Sequence, residues 1–222
     1  MKQIHRFTFI LLIFVACISC SKGKDGSNEK EYIFFLHNKF LEENPESTFS
    51  KEYNVKVEYN EILESFRKDG FIVFSEKRQP QTIVIDYAKK VVLQIDSLIL
   101  SGIKPEQITV IGTSKGGYIA QFVSTYAQNP ELNFVFIGCF QKSDIEEIRE
   151  INFCGNILTI YDKSDYYGVS AIDRKETSKL KVSRFKEIEL NTGLRHGFLY
   201  VASDKWLKPC KMWAKRNYEL AE

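Results

Sequence analysis

The feature that narrows the fold most is a series of short, almost unbroken hydrophobic runs: YIFFLH at 32–37, FIVFSE at 71–76, QITVIG at 107–112, NFVFIGC at 133–139 and NILTIY at 156–161. A strand with one wet face alternates polar and apolar residues. Strands that do not alternate must be covered on both faces, the condition inside a parallel sheet. A sixth run, FKEIEL at 185–190, completes the series. Helical patterns lie between the runs at 57–68, 83–100, 115–128 and 144–150, with a last one inside 206–220. Asp69-Gly70 and Ser101-Gly102 supply stop signals for the first two helices. This alternation predicts an α/β fold with a mostly parallel central sheet of about six strands and helices on both faces. A chain of 222 residues with 44% hydrophobic content fills one such core and not two, so residues 32–222 read as a single domain. No internal repeat is visible.

Residues 1–19, MKQIHRFTFILLIFVACIS, have a basic start and an apolar stretch too short to favour a spanning helix, as an export signal does. Cys20 follows the small Ser19, and the polar CSKGKDGSNEKE comes after it. This arrangement resembles the lipobox of bacterial lipoproteins, in which the leader is cleaved before a cysteine that is then lipidated. The resemblance implies a lipid anchor on Cys20, a tether over 20–31, and an exported, membrane-anchored protein on the periplasmic or cell-surface side. Cys17 stands where leucine is usual and, after Ala16, forms a weaker cleavage site of its own. Removing the leader takes away Lys2 and Arg6 and leaves 29 basic against 29 acidic residues. Bulk charge therefore gives nucleic acid no attraction.

Export implies an oxidising compartment, so Cys139, Cys154 and Cys210 must be weighed as disulfide partners. Three is an odd number. If 133–139 and 156–161 are parallel strands, Cys139 ends one and Cys154 begins the other, roughly 20 Å away at the usual rise per residue. Buried free thiols are the expectation, with Cys210 left open.

Chemistry enters at TVIGTSKGGYIA, 109–120, where a β-branched run meets a glycine-flanked serine and then helix-forming residues. Ser114 sits in the frame Gly112-x-Ser114-x-Gly116 between a strand and a helix, the setting of a nucleophile elbow. The glycines are needed because the serine occupies a sharp turn whose flanks press on neighbouring strand and helix. The turn aims the helix N-terminus at developing negative charge. A glycine-rich turn that only caps a helix is the competing reading.

A nucleophilic serine needs a base. Outside the leader the chain has only His37 and His196. His196 lies beyond the last strand in NTGLRHGFLY, where flanking glycines can bring the ring back over the sheet edge. The orienting carboxylate belongs between serine and histidine in chain order. YDKSDYYG offers Asp162 and Asp165. Asp165 has loop with which to reach an imidazole, whereas Asp162 leaves the strand directly and is placed to cap the turn.

These residues, together with LHNKFLEE, ILESFRKDGFIVFSEKR, YAKKVVLQIDSLILSGIKPEQITVIGTSKGG, IYDKSD and TGLRHGFLY, resemble the α/β-hydrolase superfamily and within it a group of compact bacterial members. The resemblance covers nearly all of the chain after the leader. It implies Ser114 as nucleophile, Asp165 as acid and His196 as base, with an oxyanion site built from the backbone N–H groups of Lys115 and Asn38. His37-Asn38 stands where His-Gly is more usual, and His37 is expected to shape that loop and not to move protons.

No insertion is long enough for a separate lid domain, so the cleft should be shallow and open. Lys39, Lys115, Lys163 and Arg195 fall in site-facing loops, with Glu42, Glu43 and Asp162 beside them: either an anion-binding rim or a solvated mixed one. No metal cluster, phosphate-binding loop or dinucleotide fingerprint is present, and no cofactor is expected. The expected function is a serine hydrolase acting on a carboxylic ester or related acyl bond of a small molecule. The contrasting expectation is a membrane-tethered binding protein that keeps the fold without turnover. The oligomeric state is not readable from the sequence.

Overall fold

In a parallel sheet each strand must be followed by a crossover, and the order in which crossovers place strands decides where a ligand crevice opens. The computed structural model describes residues 29–219; the leader, Cys17 and Cys20 lie outside them. The chain runs β1 (Tyr32–Leu36), α1 (Lys39–Glu43), β2 (Phe49–Ser50), β3 (Val55–Lys56), α2 (Tyr59–Lys68), β4 (Ile72–Phe74), α3 (Val84–Leu100) and β5 (Ile108–Thr113). It continues through α4 (Lys115–Ala127), β6 (Asn133–Ile137), α5 (Asp144–Glu147), β7 (Gly155–Asp162), α6 (Ile172–Thr177), β8 (Val182–Leu190), a 3-10 segment at Arg195–Tyr200, and α7 (Asp204–Ala214).

The main sheet has six strands in the order β4-β1-β5-β6-β7-β8, and every neighbouring pair is parallel. From β1 the chain first builds outward to β4, then returns past β1 to lay down β5 on its other side. The direction of building reverses between β1 and β5, and a crevice opens beyond their carboxyl ends. Leu36 is in register with Gly112, so His37-Asn38 and Ser114 leave the sheet side by side at that point.

Two apolar layers cover the sheet, because alternate residues of each strand face opposite ways. Ile33 and Phe35 of β1, Val135 and Ile137 of β6, and Leu158 and Ile160 of β7 pack with Ile62 and Phe66 of α2 and Trp206 and Trp213 of α7. On the other face Phe34 and Leu36, Val110, Phe134 and Ile157 pack with Ala88, Val91 and Ile95 of α3 and Ile119, Ala120 and Val123 of α4. The continuous hydrophobicity of 32–36 and 133–137 has this cause: both faces of those strands are dry. β8 lies at one sheet edge, only partly buried, and its charged residues are put to use: Glu187 accepts from Thr159 Oγ1 at 2.8 Å, Ser170 Oγ at 2.6 Å and the Ala171 amide at 2.7 Å.

The six strands and five helices expected from the sequence are present, with shifted ends. Helix 144–150 stops at Glu147, where Ile148 takes φ −128° and ψ 63° and leaves helical space. The last helix begins earlier than expected, at Asp204, with the Ser203 hydroxyl accepting from the Lys205 amide at its N-terminus. Four short elements carry no periodic signal: α1, α6 and the antiparallel hairpin of β2 and β3, whose strands are two residues each. Cys139, Cys154 and Cys210 are all buried and free, and burial pushes each thiol upward, Cys139 to about 12. They are inert packing groups in this state. Among the described residues no helix is long and apolar enough to cross a membrane.

Candidate active site

Ser114 is held at φ 50° and ψ −120°, a conformation that non-glycine residues avoid and that persists only where the surroundings enforce it. The enforcement is close packing of the first turn of α4 against the ends of β1 and β5. A Cβ on Gly112 would lie 2.2 Å from the Gly116 carbonyl oxygen, and one on Gly116 would lie 1.9 Å from the Leu36 carbonyl oxygen. Gly117 is equally confined, since its Cβ would meet Cys139 Sγ at 2.3 Å. The Ser114 amide donates to the Ile137 carbonyl at 2.9 Å, and its own carbonyl receives the amides of Gly117 at 2.8 Å and Tyr118 at 3.1 Å. Its hydroxyl makes no capping bond to the helix. It faces His196 Nε2 at 2.9 Å instead.

His196 lies in the 3-10 segment after β8, entered through Arg195 at φ 51°. Its Nδ1 is 2.7 Å from Asp165 Oδ2, and the other Asp165 oxygen accepts the Tyr167 amide at 2.9 Å. A carboxylate on Nδ1 fixes the proton there and leaves Nε2 as an acceptor for the serine hydroxyl. Both His196 and Asp165 are buried, and the imidazole has Tyr167 edge-on at 5.2 Å and Tyr53 at 6.2 Å. Tyr53, between β2 and β3, also touches Gly197, where an added Cβ would meet Tyr53 Cβ at 2.5 Å. The small hairpin thus closes down on the histidine loop. Ser114, His196 and Asp165 therefore form one hydrogen-bonded line, and Asp162 stands outside it.

Asp162 does different work. As the last residue of β7 it accepts from the Ser164 amide and hydroxyl on one oxygen and from the Thr192 amide and hydroxyl on the other. Burial opposes its ionisation, and these donors outweigh burial, so its carboxyl is held below the usual range. It ties the loop carrying Asp165 to the loop carrying His196.

The expected oxyanion donors lie on two adjoining segments. Lys115 is the first residue of α4, so its amide has no carbonyl partner within the helix. Asn38 precedes α1 with φ −71° and ψ 172°, extended backbone open to any residue. Its side chain is turned into the helix, with Oδ1 accepting the Leu41 amide at 3.0 Å. Asparagine can replace glycine here because no special conformation is required and the amide group has a capping role.

His37 is fully buried and bonded at both ring nitrogens: Nε2 accepts the Arg78 amide at 2.9 Å and Nδ1 donates to the Asn38 carbonyl at 2.8 Å. That pattern requires the neutral ring. Burial, reinforced by the Arg78 guanidinium, pulls its pKa down to about 4. The ring cannot serve as a base near neutrality and acts as a strap on the loop.

The four rim cations are engaged unequally: Lys163 is exposed, and the other three have partners. Lys115 Nζ pairs with buried Glu42 at 2.5 Å and also donates to the Thr82 carbonyl at 2.7 Å. Lys39 pairs with Glu43 at 3.3 Å, and Arg195 donates to the Glu52 carbonyl at 2.8 Å with its guanidinium 5.3 Å from the Tyr53 ring centre. The rim is mixed in charge, with Lys39 and Lys115 paired to carboxylates and Arg195 bonded to a carbonyl. Sequence reasoning missed Arg78, Tyr53 and Tyr167 as members of the site. Arg78 finds Glu42 across 36 residues, a pairing with no local signal. Tyr167 stood next to the carboxylate pair and was readable as a site neighbour.

A scan of protein-family models gives no match, and no curated protein matches the chain. Solved structures do match. SOBER1 of Arabidopsis thaliana superposes with a TM-score of 0.54 at 17% identity, covering 84% of this chain and 98% of that one. A lipase-esterase related protein from Clostridium acetobutylicum gives 0.52 at 14% identity, covering 82% and 94%. MGS-M1, an α/β hydrolase enzyme from a Medee basin deep-sea metagenome library, gives 0.51 at 13% identity, covering 89% of each chain. The chain has the α/β-hydrolase fold, with no large lid domain among the described residues.

The state of His37 gives a direct test. Its folded pKa lies below the unfolded value, so between pH 6.5 and 4 the unfolded chain binds a proton that the folded protein excludes. Stability from this ring is present in full above pH 6.5 and is lost as pH falls through that window, by an amount on the order of 3 kcal/mol. In an NMR titration of the folded protein the His37 ring should stay neutral from pH 8 to 5, and a midpoint near 6.5 would contradict the assignment.

Proposed function

We propose that the protein is a serine hydrolase that cleaves a carboxylic ester or related acyl bond through an acyl-enzyme intermediate. The observation that carries the proposal is the line from the Ser114 hydroxyl through His196 to Asp165, at 2.9 and 2.7 Å, on an elbow whose serine hydroxyl has no capping duty.

In this reading His196 Nε2 takes the hydroxyl proton as Ser114 Oγ attacks the carbonyl carbon, and Asp165 stabilises the imidazolium that forms. The carbonyl oxygen becomes an oxyanion beside the Lys115 and Asn38 amides and the N-terminus of α4. Collapse returns the proton to the leaving alcohol and leaves acyl-Ser114. Water, deprotonated by the same imidazole, attacks the acyl carbon and releases the acid. The exposed Tyr166 and Tyr167 at the mouth add apolar surface for a small-molecule acyl substrate.

Replacing single residues separates chemistry from scaffolding. Ser114→Ala should abolish turnover of p-nitrophenyl acetate. Asp165→Asn should lower kcat by ~10⁴, the size of the effect in the template triad, with the melting temperature little changed. Asp162→Asn should instead lower stability, because its four donors lose a charged acceptor, while the folded fraction keeps most of its turnover. An Asp165→Asn variant as active as wild type, beside a crippled Asp162→Asn, would reverse the assignment of the acid.

We further propose that the protein is exported and anchored through lipid on Cys20, supported by the basic, apolar and small-residue order of 1–19 and the polar tether after it. Expressed in a bacterium with its leader, it should partition into detergent and incorporate labelled fatty acid, and Cys20→Ser should lose both properties. Labelling that persists in Cys20→Ser and disappears with Cys17→Ser would move the anchor to Cys17.

A further inference from the structure

Beside the serine lies a buried charged cluster that the proposed reaction does not use. The Arg78 and Glu42 side chains are 0% and 1% exposed, and Arg78 Nε donates to Glu42 Oε2 at 3.1 Å. Glu42 Oε1 also receives Lys115 Nζ at 2.5 Å and the Thr82 amide at 3.1 Å. A buried ion pair is weak evidence for a stabilising role, because desolvation offsets its attraction. The second bond of the guanidinium is more informative: Arg78 Nη2 donates to the His37 carbonyl.

That carbonyl belongs to the same peptide unit as the Asn38 amide. The unit is trans, so its C=O and N–H point in opposite directions, and holding one fixes the other. The adjoining Asn38 carbonyl is held by His37 Nδ1, whose ring is in turn held by the Arg78 amide. Lys115, bearer of the other expected oxyanion amide, is tied by its side chain to the same carboxylate. Arg78 reaches the Glu42 carboxylate with Nε and the His37 carbonyl with Nη2, two nitrogens held apart by one planar fork; a lysine, with a single nitrogen, cannot stand at both places.

We propose that Arg78 is a positioning residue for the oxyanion site, holding the His37–Asn38 peptide with its N–H turned toward the reacting carbonyl while Glu42 anchors both Arg78 and Lys115. The proposal rests on the serine hydrolase reading and deepens it. Substrate binding in the ground state does not depend on this N–H, whereas the tetrahedral oxyanion does.

The test uses Arg78→Lys and the double variant Arg78→Met with Glu42→Gln, which removes both buried charges together and leaves no orphaned carboxylate. With p-nitrophenyl acetate, kcat should fall ~10²-fold and KM should change by less than about threefold, the scale of losing one oxyanion donor. An aryl trifluoromethyl ketone, to which Ser114 Oγ adds while its proton passes to His196 and the ketone oxygen becomes the oxyanion, should bind ~10²-fold more weakly. A merely structural role would lower the active fraction and leave the affinity of the remaining sites unchanged. Folded variants with wild-type kcat and ketone affinity, or two variants that both fail to fold, would overturn the proposal. A wild-type protein that neither cleaves the ester nor binds the ketone would overturn the hydrolase reading itself.

Discussion

The contact on which the site depends is the approach of the first turn of α4 to the carbonyl ends of β1 and β5. An added Cβ at Gly116 would sit 1.9 Å from the Leu36 oxygen, so the helix is as near to the strand as backbone permits. That approach forces Ser114 into its unusual conformation, brings the Lys115 amide to the crevice, and sets both beside His37-Asn38. The topological reversal between β1 and β5 leaves room for it. Remove the closeness and the elbow relaxes, with the serine free to cap its own helix.

Around this contact, polar groups are sorted by whether their hydrogen bonds are already spent. Asp162 gives both oxygens to Ser164 and Thr192, His37 has both ring nitrogens engaged, and Lys115 is committed to Glu42 and Thr82. The Ser114 hydroxyl, by contrast, is left to His196. Two aspartates three positions apart thus do unlike work for a geometric reason. The first ends its strand and ties two loops together, and the second has turned far enough along the loop to meet an imidazole arriving after β8.

The fold was legible because strands dry on both faces, such as 32–36 and 133–137, have no other stable setting, and their alternation with helices leaves few topologies. The proximity of Ser114, Asp165 and His196 was legible for a different reason: the elbow pattern is local, histidines are scarce, and the chain order limits the choice of carboxylate. The α1 turn, the two-residue strands β2 and β3, and the hold of Arg78 on His37 were not. Elements of two to five residues hold too few positions to show a period, and a bond between residue 78 and residue 37 depends on the finished fold. Charge counting left two readings of the rim open for the same reason, since Lys115 looks free until Glu42 is seen buried beneath it.

Activation of Ser114, the core of the proposed function, is measurable without knowing the substrate. A fluorophosphonate reacts with a serine only where a base takes its proton and an oxyanion site receives the phosphoryl oxygen. Intact-mass analysis and peptide mapping of the treated, folded protein should find one phosphonyl group, on Ser114, absent in Ser114→Ala and acquired far more slowly in His196→Ala. A folded protein that gains no mass, or that carries the group on another residue, would contradict the account.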